Sequence, residues 1–162
     1  MRNCHLQLAR IEDAASLAQM SRELIESGLA HAWTAARIAR HIQHPESVVL
    51  TANVAGAAAG FAVMQFGDDS AHLNLLAVEP SQQRRGIARA LLNWLEETAR
   101  TAGTFVVALE LRTTSAAAYA FYSALGYRET GRVRGYYQGV EEAIRMARDL
   151  RVDCGLTRAP KS

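Results

Sequence analysis

The spacing of apolar and polar positions changes several times along this chain, and each change marks an element. Residues 4–9 alternate loosely, as a strand covered on one face does. From Asp13 the period becomes helical. Leu17, Met20, Leu24 and Ile25 share one face, Asp13 can cap the first turn, and Ser27–Gly28 can end the helix. Thr34 can cap a second, shorter helix, which must stop before His44 and Pro45 because the residue before a proline is driven out of the helical region. Ser47–Val54 is apolar and β-branched, Ala55 and Gly56 turn the chain, and Ala57–Phe66 returns as the other arm of a hairpin. Residues 67–70 turn again into a fourth strand, Ala71–Val78. After a polar loop at 80–85, residues 86–100 predict an amphipathic helix with Ile87, Ala90, Leu91, Trp94 and Leu95 on its stripe. Residues 105–111 form a short run of β-formers and read as a fully buried strand. Ser115 can cap a helix that ends at Leu125, with Gly126 in the left-handed position beyond it. Segments 127–133 and 142–150 then pair around a turn at 135–139. The order β-α-α-β-β-β-α-β-α-β-β predicts one mixed α/β domain over residues 1–150, followed by a polar tail at 151–162.

Composition narrows the function classes. With 162 residues, 49% hydrophobic and 21% charged, the chain has the profile of one globular domain rather than a disordered segment. Its longest apolar run, residues 54–64, is too short to span a bilayer, and the first ten residues lack a signal-peptide pattern. Net charge is only +2, carried almost entirely by arginine, with Lys161 the single lysine; that balance gives no reason to expect a nucleic-acid partner. Cys4 and Cys154 sit at opposite ends, make neither a metal spacing nor a disulfide framework, and suit a reducing cytoplasm.

The chemistry concentrates where the fourth strand meets the third helix, in the sequence Val-Glu-Pro-Ser-Gln-Gln-Arg-Arg-Gly-Ile-Ala at 78–88. A helix start carries free backbone N–H groups and the positive end of the helix dipole. Gly86 allows close approach of a ligand, Ala88 leaves little side chain in the way, and Arg84 and Arg85 add positive charge. Such a turn suits a diphosphate. It is not a Walker loop, since no Gly-Lys-Ser/Thr follows, and it lacks the Gly-x-Gly-x-x-Gly of dinucleotide folds.

Two further segments follow in order: Leu109-Glu110-Leu111-Arg112, then 116–122 with Tyr119, Phe121 and Tyr122, closed by Leu125-Gly126-Tyr127. With these the chain resembles the GNAT N-acetyltransferase superfamily over about residues 4–150. The 109–127 segment and the Tyr136–Tyr137 pair are most similar to its ribosomal-protein-alanine N-acetyltransferase branch. The resemblance implies a mixed, mostly antiparallel central sheet whose fourth and fifth strands splay apart, with acetyl-CoA as co-substrate and no metal. It implies that the backbone of Leu76, Ala77 and Val78 pairs with the pantetheine arm. Backbone N–H groups of Gln83, Arg84, Arg85, Gly86, Ile87 and Ala88 would hold the pyrophosphate, with Arg89 following. Tyr122 matches a tyrosine whose hydroxyl faces the coenzyme sulfur, Glu110 matches a glutamate assigned as general base, and Ser115 stands where an asparagine usually contacts the coenzyme. The implied partners are acetyl-CoA and an amine acceptor, either a protein N-terminus or a small amine, in a monomer or homodimer without membrane or nucleic acid. A coenzyme-binding module without catalysis is the reading from another class.

Acetyl transfer from a thioester requires a neutral amine and a proton for the departing thiolate. A carboxylate in a partly dry cleft can take the first proton, and a tyrosine hydroxyl, with an ordinary pKa near 10, can supply the second. Glu110 lies in an otherwise apolar strand, so it is either a base or half of a structural ion pair with Arg112 or another arginine. Tyr122 is either the acid or a core aromatic beside Phe121. Trp33, with His31, falls between the first two helices, where the fold lines its acceptor pocket, or else staples the helix that Thr34 caps. Tyr136 and Tyr137 flank an acceptor peptide or pack a turn. His41 and His44 sit three apart without a third ligand, so no metal site is expected, and His72 reads as a strand-surface residue.

Overall fold

In the computed structural model, residues 4–25, 32–137 and 141–152 are described. Seven strands form one sheet: β1 (Cys4–Leu8), β2 (Ser47–Val54), β3 (Ala57–Phe66), β4 (Ala71–Val78), β5 (Val106–Arg112), β6 (Arg128–Tyr137) and β7 (Glu141–Asp149), in the spatial order β1-β2-β3-β4-β5-β7-β6. Every neighbouring pair is antiparallel except β4 and β5. Among the described residues four α-helices cover it: α1 (Ala14–Leu24), α2 (Ala35–Gln43), α3 (Ile87–Thr101) and α4 (Ala116–Ala124). No helix among the described residues is long and apolar enough to cross a membrane.

The period-2 strands sort their side chains into two cores. Leu50, Ala62, Met64 and Leu73 face α3 and meet its Ile87, Leu91, Leu92 and Leu95. Val49, Phe61, Val63, Leu75 and Ala77 face the other way, onto Leu17, Met20 and Ile38 of α1 and α2. Leu73 and Leu75 are two apart, which on a regular strand would put them on one face. They lie on opposite faces because Asn74 is an extra residue: Met64 pairs with Leu73 and Val63 with Leu75, leaving Asn74 as a bulge. The pleat of β4 inverts at that point.

Local signals behave largely as their chemistry dictates. Thr34 Oγ1 accepts the Arg37 N–H at 3.1 Å and caps α2. Ala55 and Gly56 both adopt positive φ, as a two-residue hairpin turn needs. Gly126 follows α4 at φ 99°. Several expectations need correction. Asp13 does not cap α1; its Oδ2 accepts the Arg10 N–H at 2.8 Å across a 3-10 turn at Ile11–Asp13. Ser115 precedes α4 without a capping bond from its side chain. Trp94 lies off the buried stripe at 38% exposure, while Leu92 and Glu96 are buried in its stead. β5 is not buried on both faces. Val107, Leu109 and Leu111 enter the α3 core, and the alternate residues Ala108, Glu110 and Arg112 are half-buried. β6 runs on to Tyr137, past residue 135 where the sequence predicts a turn. His31, Cys154 and the expected helix end at Ser27–Gly28 lie outside the described residues.

Candidate active site

The parallel pairing of β4 with β5 covers only Ala71–Val107, His72–Ala108 and Leu73–Leu109. Beyond Leu73 both strands continue without pairing to each other, and the bulge at Asn74 sits where the pairing stops. The sheet is therefore forked. A cavity of about 430 Å³ opens at the fork, walled by Leu24, Ile25, Trp33 and Arg37 on one side, by β4 and β5 beneath, and by Ser115, Ala118 and Tyr122 of the α4 segment.

Glu110 stands at the apex with its side chain 12% exposed. His72 Nε2 lies 2.5 Å from its Oε1, and Arg145 Nε lies 3.5 Å from its Oε2. Arg145 is the cross-strand partner of Glu110 on β7. His72 reaches it diagonally from β4, since His72 registers with Ala108 and a long side chain spans the offset of two. Tyr122 is buried and lines the same cavity, its ring packed edge-on against Tyr127 with centroids 5.6 Å apart. Behind it, Tyr127 donates its hydroxyl to Glu96 at 2.7 Å, and Arg148 holds the other Glu96 oxygen at 3.0 Å. Burial and the Glu96 carboxylate push the Tyr127 hydroxyl far above its ordinary pKa, so it stays a donor.

On the opposite wall, Trp33 is buried and shares a core with Ile38, the partner a staple across the Thr34 cap requires. It does this while lining the cavity. Its ring also carries the Arg37 guanidinium at 3.9 Å from the centroid and lies tilted against the His41 ring, with centroids 5.2 Å apart. Burial first, then Arg37 and the neighbouring basic residues, hold the His41 imidazole below its usual pKa. His41 bonds Ser47 Oγ at 3.0 Å, and His44 Nδ1 accepts the Glu46 N–H.

The turn into α3 has the conformation an anion cradle needs. Arg84 and Gly86 both take positive φ, 64° and 82°, and nothing lies within 4 Å of where a Cβ on Gly86 would be. Arg84, Arg85 and Arg89 are exposed, Ala88 is half-buried, and Ile87 anchors the turn in the core. The Gln83 N–H is already bonded to Pro80, and its side chain donates to the Val78 carbonyl at 3.0 Å. The cradle of free amides thus begins at Arg84, and Gln83 fastens it to the end of β4. Of the strand residues in the expected coenzyme path, Leu76 lines the cavity, whereas Ala77 and Val78 direct their side chains into the two cores. Only their backbone can serve a ligand.

The fork therefore gathers Trp33, Leu76, Glu110, Ser115 and Tyr122, with the 84–89 turn at the outer end of β4. Tyr136 and Tyr137 end β6, and their side chains lie outside the described part of the structure. His72, Asn74 and Arg145 are additions that reasoning from residue types missed. Only the inter-strand register brings His72 and Arg145 to Glu110.

A sheet forked between parallel strands, with a cavity at the fork and a turn of free amides opening a helix beyond one prong, defines a mixed α/β domain with a ligand cleft and an anion-suited turn at its end. A model of the acetyltransferase (GNAT) domain matches residues 16–149, and the chain belongs to that family. It is 45% identical over 92 residues to the [ribosomal protein bS18]-alanine N-acetyltransferase of Salmonella typhimurium, covering 55% of this chain and 62% of that protein. It is 33% identical over 122 residues to the N-alpha-acetyltransferase RimI of Mycobacterium tuberculosis, covering 72% and 75%. The alignment with the Salmonella protein spans less than two thirds of its length. The crystal structure of the ribosomal-protein-S18-alanine N-acetyltransferase from Escherichia coli superposes with a TM-score of 0.80 at 28% identity, over 96% of this chain and 99% of that one.

Proposed function

We propose that this chain transfers acetyl from acetyl-CoA to a primary amine, and that the acceptor is the N-terminal amine of a protein. The observation that carries the reading is the fork: one cavity touches the Glu110–His72 pair, Tyr122 and the unpaired edge of β4. The names of the relatives support the N-terminal acceptor.

The residues present fit acetyl-CoA. The edge of β4 beyond Leu73 can pair with an extended amide-bearing arm as an added strand would. The first-turn amides of α3, with Arg84 and Arg85, suit its diphosphate. Bound there, the coenzyme supplies an acyl group activated as a thioester. Glu110 Oε1 and His72 Nε2 lie at hydrogen-bond distance, 2.5 Å, and the pair can accept a proton from an incoming ammonium. Arg145 keeps Glu110 anchored from β7. The Tyr122 hydroxyl is suited to deliver a proton to the leaving sulfur. No side-chain nucleophile is needed, because the amine attacks directly when both substrates are bound.

Calorimetry with coenzyme A, followed by thiol release in the presence of acetyl-CoA, tests the reading. The acceptors are peptides with a free N-terminal alanine, free amino acids, polyamines and aminoglycosides. Binding heat and turnover of the peptides are expected, with N-acetylated peptides inert. Absence of binding heat defeats the coenzyme site, and turnover confined to small amines defeats the protein acceptor.

A further inference from the structure

The charged residues on the cavity wall are Arg37, His72, Glu110 and Arg112. Glu110 is the one carboxylate among them, and His72 and Arg145 already engage it. Arg112 donates to the Ile25 carbonyl at the end of α1, at 3.4 Å. Arg37 is half-buried and held differently. Its guanidinium lies over the Trp33 ring, and Nη1 donates to the Ala32 carbonyl at 3.5 Å. Among the described residues no carboxylate pairs with it. Its Nε and Nη2 likewise have no hydrogen-bond partner there, yet neither is a buried atom. The indole thus covers one face of the guanidinium and leaves two of its nitrogens open. The position is also a poor one for a cation. Arg37 is the third residue of α2, where the positive end of the helix dipole opposes it. It follows the Thr34 cap at the spacing where a glutamate or glutamine would complete a capping box. A glutamate would gain on both counts, so an arginine fixed flat on an aromatic ring at a cavity wall points to an anion in the cavity.

We propose that Arg37 receives a carboxylate of the acceptor, and that the chain selects protein N-termini with an acidic second residue. This deepens the acetyl-transfer reading above and rests on it. Two extended residues span about 7 Å, so with the amine at Glu110 the second side chain can turn to the wall where Arg37 stands. A planar guanidinium already held on an indole loses little freedom when it takes a carboxylate in a charge-assisted pair. The same charge works against a basic second residue. It also favours the neutral form of the incoming amine, the form that attacks.

The test uses acetyl-CoA with peptides that begin Ala-Glu, Ala-Gln or Ala-Arg and are otherwise identical, beside free alanine and alaninamide. Wild type is compared with Arg37→Gln and Arg37→Glu. In wild type, kcat/KM should be about ten-fold higher for Ala-Glu than for Ala-Gln, the worth of one hydrogen bond between charged groups, and lowest for Ala-Arg. Arg37→Gln should bring the ratio of Ala-Glu to Ala-Gln close to one, and Arg37→Glu should put Ala-Arg first. Coenzyme A affinity by calorimetry should hold in both variants. Arg37→Glu completes the capping box with Thr34, so its thermal midpoint should stay near that of wild type. Equal turnover of Ala-Glu and Ala-Gln by wild type, or a ratio that survives Arg37→Gln, overturns the proposal and leaves acetyl transfer standing. A fall in coenzyme affinity overturns it in favour of a coenzyme contact, and a collapsed midpoint in Arg37→Glu overturns it in favour of a guanidinium kept to hold Trp33. Turnover of alanine ahead of alaninamide, with every peptide inert, would defeat the protein acceptor and make the carboxylate at Arg37 an amino acid's own. Silence with every acceptor overturns the acetyl-transfer reading and this one with it.

Discussion

At the scale of single residues, the informative contrast is between Glu110 and His72. Glu110 is legible from its position alone, a carboxylate inside an apolar strand. Sequence suggests Arg112 or another arginine as its partner; the structure supplies Arg145 and, closer, His72. His72 alternates with leucine and so reads as a surface position. Its contact with Glu110 emerges only from a parallel register between strands far apart in sequence, which no periodicity encodes. In the proposed reaction this hydrogen-bonded carboxylate and imidazole, 2.5 Å apart, would accept the proton as one unit, so their losses should not add. Glu110→Gln and His72→Ala are each expected to lower kcat/KM about 100-fold, and the double variant should fall little further. Tyr122→Phe should lower kcat about ten-fold or more while coenzyme affinity holds. Steady-state kinetics across the double-mutant cycle checks this, and additive losses would mean that the two groups act separately.

At the scale of elements, α3 shows what a helical stripe can and cannot tell. Ile87, Leu91 and Leu95 follow the period into the core, but the large Trp94 stays out and the charged Glu96 goes in. Amphipathic pattern ranks side chains by their own polarity, whereas Glu96 is buried because Tyr127 and Arg148 arrive from the α4–β6 junction and β7 to bond it. The same limit hid the Asn74 bulge, since the sequence of β4 looks like an uninterrupted strand. The buried trio ties α3 to the second half of the sheet directly behind Tyr122. Removing the cation alone strands a carboxylate that is 3% exposed, so Arg148→Met should destabilise by about 3–5 kcal/mol. Tyr127→Phe should cost about 2 kcal/mol, one hydrogen bond to a charged group. The triple variant that combines Glu96→Leu, Arg148→Met and Tyr127→Phe should recover most of the loss, because no group is left uncompensated. Urea midpoints at constant m-value measure all three variants.

For the molecule as a whole, the order of the elements was legible in the sequence almost from end to end, because each is announced by a change of period or a turn residue. The fork was not legible from pattern; it entered through the family resemblance, since it is a property of two strands that meet for three residue pairs and then part. The sheet is thus two antiparallel halves, β1–β4 and β5–β7, joined by that short ladder and by α3 across one face. A coenzyme lying along the open edge of β4 and seated on the 84–89 turn would add contacts to the folded state that the unfolded chain lacks. Linkage then fixes the magnitude: coenzyme A at about 100 times its Kd should stabilise by about 2.7 kcal/mol, raising Tm by roughly 5–10 °C in a chain of this length. Gly86→Asp tests whether the turn is the seat. At φ 82° any side chain is strained, so this variant should melt below wild type even without ligand. The diagnostic quantity is therefore the shift on adding coenzyme A, not the midpoint itself. The aspartate sets a negative charge where the diphosphate would lie, and the shift should vanish. A variant that melts lower yet keeps the full shift would move the diphosphate away from this turn.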